Sequence, residues 1–114
     1  MKFRCDRDDL VEALNTAGKA VTNRATLPVL NGLRLSLEND ILVITGSDLD
    51  LTITVIVEVS GEKDGISVVP AKLLSDVIRS VESGIVDLTV EETDLQVIAG
   101  RSEFALRTIP ADEY

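Results

Sequence analysis

The stretch Leu33–Gly46, LRLSLENDILVITG, is the part of this chain that points most directly to its fold class. Leucines alternate with polar residues in its first half, which is the period of a half-buried β-strand. Asn39-Asp40 then predicts a tight turn into a second strand, Ile41–Thr45. A further turn at Gly46–Asp48 leads into Leu51–Val59. The stretch and its continuation therefore predict a three-strand antiparallel meander.

The same pattern recurs in the second half of the chain, after a second strand and helix. The offset is constant at 53 residues (86 − 33 = 53), and Gly46 matches Gly100 with one residue inserted. Both halves have the order strand, helix, three strands, which predicts a pseudo-symmetric α+β domain. Its two helices are expected to lie together on one side of antiparallel sheets. The matching apolar positions are Leu33, Leu35, Leu37, Leu42 and Ile44 in the first half and Val86, Leu88, Val90, Leu95 and Val97 in the second.

The helices are predicted from capping residues and apolar spacing. Asp6 is a plausible N-cap for a first helix that runs to about Lys19 or Val21. Pro70 suits the first turn of a second helix. Their expected apolar stripes are Leu10, Val11, Leu14, Ala17 and Val21, and Leu73, Leu74, Val77, Ile78 and Val81.

The other strands are shorter, and a polar segment separates the two halves. Ser60–Gly65, SGEKDG, is predicted to be a loop because its residues are polar and typical of turns. Leu27–Leu30, on either side of Pro28, is predicted to lead into the first meander and to pack in the core. The remaining predicted strands are Lys2–Cys5, Ile66–Val69, Ile85–Glu91, Leu95–Ala99 and Ser102–Ile109.

Length and composition bound the class of protein. The chain has 114 residues, 45% of them apolar, and a mean hydropathy of +0.21, so one domain with a real core is expected. A single cysteine, Cys5, excludes an internal disulfide and suits a reducing cytoplasm. The chain has no run of 18 uncharged apolar residues, and MKFRCDRDD lacks the apolar region of a signal peptide. We expect a soluble, cytoplasmic protein.

The net charge of −9 argues against nucleic-acid binding, but the placement of the bases matters more. On a helical wheel, Lys72 and Arg79 lie opposite the apolar stripe of the second helix. Lys19 lies opposite that of the first, and Arg24 follows a few residues later. These four bases can share one solvent-facing side, where they would contact phosphates rather than read bases. Alternatively, this side is an ordinary solvated face on which Asp76 pairs with Lys72 or Arg79.

Catalysis finds little support in the sequence. The chain contains no histidine, no Walker A loop and no GxGxxG motif. Cys5 is predicted to be a small core residue rather than a nucleophile. Asp48 and Asp50 could bind Mg²⁺ together with Glu91 or Glu92, or could simply hold a turn. We expect no enzyme activity and no cofactor, and the turn is the favoured role of the aspartates.

Five segments together resemble one known family, the N-terminal domain of the bacterial DNA polymerase III beta subunit, the sliding clamp. They are MKF at the start, RATLPVLNGL at 24–33, TGSDLDL at 45–51, VPAKLLSDVIRSV at 69–81 and GRSEFALRTIPADEY at 100–114. The resemblance implies a clamp domain with two helices facing duplex DNA. It implies that residues 1–114 are the first of three domains, an isolated or truncated part of a longer subunit. Two subunits would close a ring.

The resemblance also implies a function and its residues. The ring would be a non-catalytic processivity factor that binds the polymerase and the clamp loader through domains absent here. Arg24, Lys72 and Arg79 match DNA-contacting positions of the family, whereas Lys19 comes from the helical wheel alone. The excess of acids would lie on the β-structure behind the helices. The resemblance implies no membrane partner.

The last strand resembles the family's subunit-contact edge, which pairs with the third domain of the partner. Arg101, Phe104 and Leu106 occupy its contact positions, and Glu103 stands where some members carry a base. Phe104 and Leu106 could equally be core residues. The alternative function is a stand-alone α+β interaction module that pairs through this strand and never binds DNA.

Overall fold

The computed structural model describes residues 1–21 and 31–110. These residues form two helices and nine strands, and the predicted order of elements is confirmed apart from one additional strand. The bounds are β1 Lys2–Asp6, α1 Arg7–Gly18, β2 Gly32–Glu38, β3 Ile41–Ser47, β4 Thr52–Glu58, β5 Ser60–Lys63, β6 Gly65–Pro70, α2 Ala71–Ser80, β7 Ile85–Glu91, β8 Asp94–Ala99 and β9 Ser102–Arg107.

The strands form two antiparallel sheets, and each sheet takes one strand from the other half of the chain. The first sheet has the order β5-β1-β7-β8-β9, and the second has the order β4-β3-β2-β6. Strand β1 thus pairs with the second meander, and β6 pairs with the first. This exchange joins the two halves into one α+β domain with one continuous core.

The internal repeat is present at the level of strand register. Asp6 pairs with Ile85 at the end of β1, and Pro70 pairs with Gly32 at the end of β6. The meander strands therefore repeat at the predicted offset of 53 (85 − 32 = 53). The preceding strands and helices repeat at 64 (70 − 6 = 64).

The core consists of the alternating positions that the sequence predicts. Nine of the ten matched meander residues are buried, and the tenth, Val90, packs against the core. The helices add Leu10 and Leu14 from α1 and their repeat equivalents Leu74 and Ile78 from α2. Each such aliphatic side chain contributes about 1.5–3 kcal/mol on burial, so the two helices are held mainly by these contacts.

The prediction of a loop at Ser60–Gly65 was wrong, because Ser60–Lys63 forms β5 along the edge of β1. An edge strand exposes most of its side chains, so it can be as polar as a loop, and composition alone does not distinguish the two. The close approach of Gly61 to the carbonyl oxygen of Asn39 leaves no room for a Cβ atom. The amide of Gly61 also donates to the carboxylate of Asp40 at 2.9 Å.

Four smaller differences concern the ends of elements. Helix α1 ends at Gly18, and Pro70 is the N-cap of α2 rather than a residue of its first turn. Strand β4 begins after Leu51, which is exposed in the preceding turn. Strand β9 ends at Arg107, two residues earlier than predicted.

One predicted core residue of α2 is exposed. Half of the Leu73 surface is accessible, so its assignment to the apolar stripe was wrong. The buried residues of the helix are Ala71, Leu74 and Ile78. The stripe is therefore rotated relative to the prediction, because Ala71 packs inward where Leu73 was expected.

Candidate nucleic-acid interface

Helices α1 and α2 lie side by side and run in opposite directions. The start of α1 contacts the end of α2 through Arg7, whose guanidinium reaches Ile78 and Arg79. At the opposite end, the last turn of α1 and the first turn of α2 border the same groove. This helix pair is the part of the fold that carries the predicted DNA-binding residues.

The groove at this end of the helix pair is shallow and has a volume of about 280 Å³. This end is called the open end. Lys19, Lys72 and Arg79 all line the groove, although they come from two helices distant in sequence. The hydroxyl of Ser75 donates to the side-chain oxygen of Asn15 at 3.4 Å and links the helices here. The lining residues are Leu14, Asn15, Gly18, Lys19, Val21, Ala71, Lys72, Ser75 and Arg79.

Lys72 occupies an electrostatically unfavourable position for helix stability. It lies in the first turn of α2, where the helix dipole favours acids, and that turn contains none. Pro70, the N-cap, makes no side-chain hydrogen bond to the helix. The start of α2 therefore combines a cationic side chain with backbone amides whose positive charge no acid of that turn compensates, which attracts anions.

Lys19 adds a second exposed cation to the same groove. It is the C-cap of α1, where its charge complements the negative end of that helix. Glu12, earlier in the same helix, borders a separate depression between α1 and β4. Among residues 1–21 and 31–110, neither Lys19 nor Lys72 takes part in a salt bridge.

Arg79 forms the ion pair that the alternative interpretation of this face anticipated. Its guanidinium lies 2.7 Å from the carboxylate of Asp76, and both side chains are 51% exposed. A pair this exposed stabilises a fold by about 0–1 kcal/mol, so Arg79 could exchange Asp76 for another anion at little cost. The Asp76 pair is thus compatible with either role of Arg79.

At the other end of the pair, polar groups of the two helices form hydrogen bonds with each other. It is called the latched end, because Arg7 of α1 holds the last turn of α2. Arg7 donates to the carbonyl oxygens of Ile78 at 3.1 Å and Arg79 at 2.7 Å, and its side chain is only 21% exposed. These carbonyls belong to the last turn of α2, which has no intrahelical donors for them. Asp8 accepts from Arg7 at 2.9 Å and from the hydroxyl of Ser83 at 3.1 Å. These two hydrogen bonds, chiefly the one from Arg7, lower the pKa of the Asp8 carboxyl.

Sequence reasoning missed Arg7 and Asn15. The available signal for Arg7 was its place as the single base among acids at the start of α1, where the dipole disfavours it. Asn15 lies opposite the apolar stripe of α1, in register with the basic residues, but carries no charge to mark it. The helices carry four of the 18 acids among the described residues, Asp8, Asp9, Glu12 and Asp76, and the other 14 lie on the strands and their connections. The excess of acids therefore lies outside the helices, in agreement with the expectation.

Arg24 and the segment Leu27–Leu30 lie outside the described residues. Their predicted roles, DNA contact for Arg24 and core packing for the other four, stay predictions.

Strand β9 is an edge strand of the first sheet. Arg101 and Glu103 are exposed, and the carboxylate of Glu103 accepts a hydrogen bond from the amide of Gln96. Phe104 is partly buried against the core. The side chain of Leu106 is buried, so Leu106 can offer only its backbone to a partner.

The residues considered for chemistry have structural roles. Cys5 is buried, and burial raises the pKa of its thiol to about 12, so it is a poor nucleophile. The carboxylate of Asp48 accepts from the amides of Asp50 at 3.0 Å and Leu51 at 2.7 Å, which caps the turn before β4. Within residues 1–21 and 31–110, no cluster of acids or cysteines has the arrangement of a metal site.

The described helices are too short and polar to cross a bilayer.

Comparison with known proteins places this arrangement in a family. The sequence profile of the DNA polymerase III beta subunit, N-terminal domain, matches residues 1–114. The chain is 38% identical to the beta sliding clamp of Pseudomonas aeruginosa and 33% identical to that of Bacillus subtilis, in each case over its whole length. It spans 32% of the length of each of these relatives.

Solved structures show the same fold. The crystal structure of the DNA polymerase III subunit beta from Pseudomonas aeruginosa superimposes with a TM-score of 0.95 at 36% identity, over all of this chain and 31% of that one. The pol III beta structure from Caulobacter crescentus superimposes with a TM-score of 0.94 at 32% identity and the same coverage. With its two antiparallel sheets and paired helices, this chain belongs to the family of the bacterial DNA polymerase III beta subunit, as its N-terminal domain.

Proposed function

We propose that residues 1–114 are the first of three domains in a clamp subunit, and that two subunits form a ring around duplex DNA. The ring would act in the cytoplasm as the processivity factor of the replicative polymerase. The observation that carries this proposal is the family match over the whole chain, together with three cations around one groove of the helix pair. The greater length of the matched relatives, about three times that of this chain, leaves room for the other domains.

The mechanism needs few and weak contacts. Lys19, Lys72 and Arg79, with Arg24 nearby in sequence, would contact phosphates and so bind DNA of any sequence. A closed ring stays on its template without tight binding, because it cannot leave without opening, and weak contacts let it slide. Processivity then follows from the high effective concentration of a tethered polymerase. The role is that of a non-catalytic accessory subunit.

Two partner contacts complete the proposal. The polymerase and the clamp loader would bind domains outside residues 1–114. The exposed edge of β9 would pair with the second subunit, with Arg101 and Phe104 contributing side chains and Leu106 its backbone. Glu103 would add a negative charge, so a partner with a base opposite it would fit this edge best.

The test uses a clamp subunit that carries this chain as its first domain. Arg24→Glu and Lys72→Glu should each weaken loading onto nicked circular DNA by about tenfold or more, and each should lower the slope of affinity against salt by about 1. Lys63→Glu is the matched control, because it makes the same charge change on the exposed strand β5. Loading of both the Arg24 and the Lys72 variants at the wild-type level would refute the proposed DNA-facing side.

The 114-residue chain by itself gives a second test. We expect it to bind DNA poorly, because one domain cannot encircle a duplex. Tight binding in a gel-shift assay at moderate salt would contradict the topological mechanism. A stand-alone interaction module would also bind DNA poorly, but charge reversal in the longer subunit would then change nothing, and the family match does not favour that alternative.

A further inference from the structure

The face of the second sheet that points away from the core carries a row of aliphatic side chains. Ile56 of β4 pairs with Val43 of β3. Ser36 of β2 pairs with Val43 on one side and with Ile66 of β6 on the other. Ile56 and Ile66 are 67% and 58% exposed, and Ile41, diagonally beside Ile56, is also exposed. These five residues form one surface, the outer stripe.

The internal repeat provides a comparison, because the first sheet contains an equivalent row. By register, Ser36, Val43, Ile56 and Ile66 correspond in turn to Thr89, Gln96, Ala105 and Lys2. That row is mostly polar and makes its own contacts. Lys2 forms an ion pair with Glu62 at 3.3 Å, and the side-chain amide of Gln96 donates to the carboxylate of Glu103. The fold therefore does not require aliphatic side chains at these positions.

The exposed isoleucines of the first sheet do not form such a row. Ile98 lies between Asp87 and Glu103 on the neighbouring strands, and Ile85 lies beside Asp6. Each of these two isoleucines is thus flanked by charged residues. The outer stripe is therefore a property of the second sheet and not of the fold.

Acidic side chains lie beside the outer stripe. Glu58 and Glu38 flank Ile41 on its two neighbouring strands. Glu58 also borders the depression between α1 and β4, which Asp9 and Glu12 line as well. Among the described residues, none of these four carboxylates takes part in a salt bridge. An aliphatic row with unpaired acids beside it favours a partner that is both apolar and positively charged.

We propose that the outer stripe docks a short amphipathic helix of another protein, apolar on one face and with lysine or arginine beside that face. Consecutive turns of an α-helix are about 5.4 Å apart, close to the roughly 4.8 Å between neighbouring strands. A helix lying across the strands can therefore place one side chain per turn on the row, and the small Ser36 leaves room for a larger one. Its cations would face Glu38 and Glu58, since Arg34 lies on the opposite side of Ser36.

A second copy of this chain fits the outer stripe less well. A stable dimer buries about 800 Å² on each partner, or roughly 20–30 residues, whereas the stripe has five. Each copy has a net charge of −9 and would bring further acids towards Glu38 and Glu58. The proposal goes beyond the proposed clamp function and does not depend on DNA binding, because the stripe faces away from the core and the helices packed on it.

The test measures the fluorescence anisotropy of a labelled peptide of about 12 residues, an amphipathic helix with leucines on one face and lysines on the other. The 114-residue chain should bind it, and Ile56→Thr and Ile66→Thr should each raise the dissociation constant about fivefold. Threonine keeps the β-branch that suits a strand, so these variants should fold. Ile85→Thr and Ile98→Thr are the matched controls on the first sheet and should bind like the wild type.

The charges and the location are tested separately. Glu38→Lys should raise the dissociation constant about threefold at low salt, whereas Glu91→Lys, at the equivalent position of the first sheet, should have a smaller effect. A peptide with glutamates in place of the lysines should bind more weakly. In amide NMR spectra of the chain, the lysine peptide should shift signals of β2, β3, β4 and β6 and leave those of β7, β8 and β9 in place.

Four results would overturn the proposal. They are no binding of the lysine peptide, equal binding of a peptide with serines in place of the leucines, equal weakening by the control isoleucine variants, and NMR shifts confined to the helix pair. Self-association of the chain that Ile56→Thr abolishes would also overturn it and would indicate a second copy as the occupant.

Discussion

The two ends of the helix pair are built from equivalent positions of the repeat but carry opposite chemistry. At the latched end, α1 begins with Arg7 and Asp8, which bind the end of α2 and the residues after it. The equivalent residues at the start of α2 are Ala71 and Lys72 (7 + 64 = 71; 8 + 64 = 72). They make no such latch, and Lys72 reverses the charge of Asp8.

This difference separates contacts that stabilise the fold from the groove proposed to bind DNA. The latched end satisfies the free carbonyls of a helix terminus with a guanidinium, which stabilises the pair. The open end leaves Lys19 and Lys72 beside a groove and without a salt bridge within the described part of the chain. A helix start with a cation and no acid is a local cost that stability alone does not explain. The comparison therefore predicts opposite responses to mutation at the two ends.

The largest effects should come from the buried residues beneath the two ends. Ile78→Ala and its equivalent Leu14→Ala should each destabilise the fold by about 2–5 kcal/mol in urea unfolding. Both side chains are fully buried, but Leu14 also borders the groove, whose residues can move to fill part of the cavity, so Ile78 should lie at the higher end of that range. Equal losses of unfolding free energy at the two sites would show that residues around the groove do not move to fill the cavity that Leu14→Ala leaves.

Removal of the latch should have the next largest effect. Arg7→Met should lower the free energy of unfolding by about 2 kcal/mol, since hydrogen bonds from a charged donor contribute about 1.5–3 kcal/mol each. Arg4→Met is the matched control, because Arg4 makes an exposed ion pair with Asp87 at 2.7 Å. Its loss should lower the free energy of unfolding much less than the loss of Arg7, because solvent screens an exposed pair. Similar unfolding midpoints for Arg7→Met and Arg4→Met would show that the hydrogen bonds of Arg7 do not stabilise the latched end.

A smaller effect of opposite sign is expected at the open end. Lys72→Glu should stabilise the chain by about 0.3–1 kcal/mol at low salt, because it places an acid in the first turn of α2. The same change should impair DNA loading of the longer subunit. Thermal unfolding at low and high salt checks the first effect, since salt should remove it. Destabilisation by Lys72→Glu would mean that Lys72 serves the fold.

The smallest effect should be the acid dependence contributed by Asp8. Its carboxyl pKa is lowered in the folded state, so its stabilisation is present above the unfolded pKa of about 3.9 and disappears as the pH falls through the folded pKa. Urea midpoints measured below about pH 5 should therefore fall less steeply for Asp8→Asn than for the wild type. Parallel curves would show that Arg7 holds the latch without Asp8.

The local elements and the repeat could be predicted from the order of residues. Period-two alternation, the Asn39-Asp40 turn and the Asp6 cap each act over a few residues, so they can be recognised without knowledge of the rest of the chain. The offset of 53 residues followed from the same patterns. The basic positions of α2 also followed, because a helix has a fixed angle per residue.

Only the tertiary structure shows how the two halves join and which basic residues lie beside each other. The exchange of β1 and β6 between sheets, the strand β5 and the latch of Arg7 onto Ile78 and Arg79 depend on contacts between residues distant in sequence. Neither composition nor periodicity encodes such contacts, because they arise when two surfaces pack and satisfy each other's free polar groups. For the same reason, only the packed helices show that Lys19 and Lys72 border one groove while Asp8 and Glu12 lie outside it.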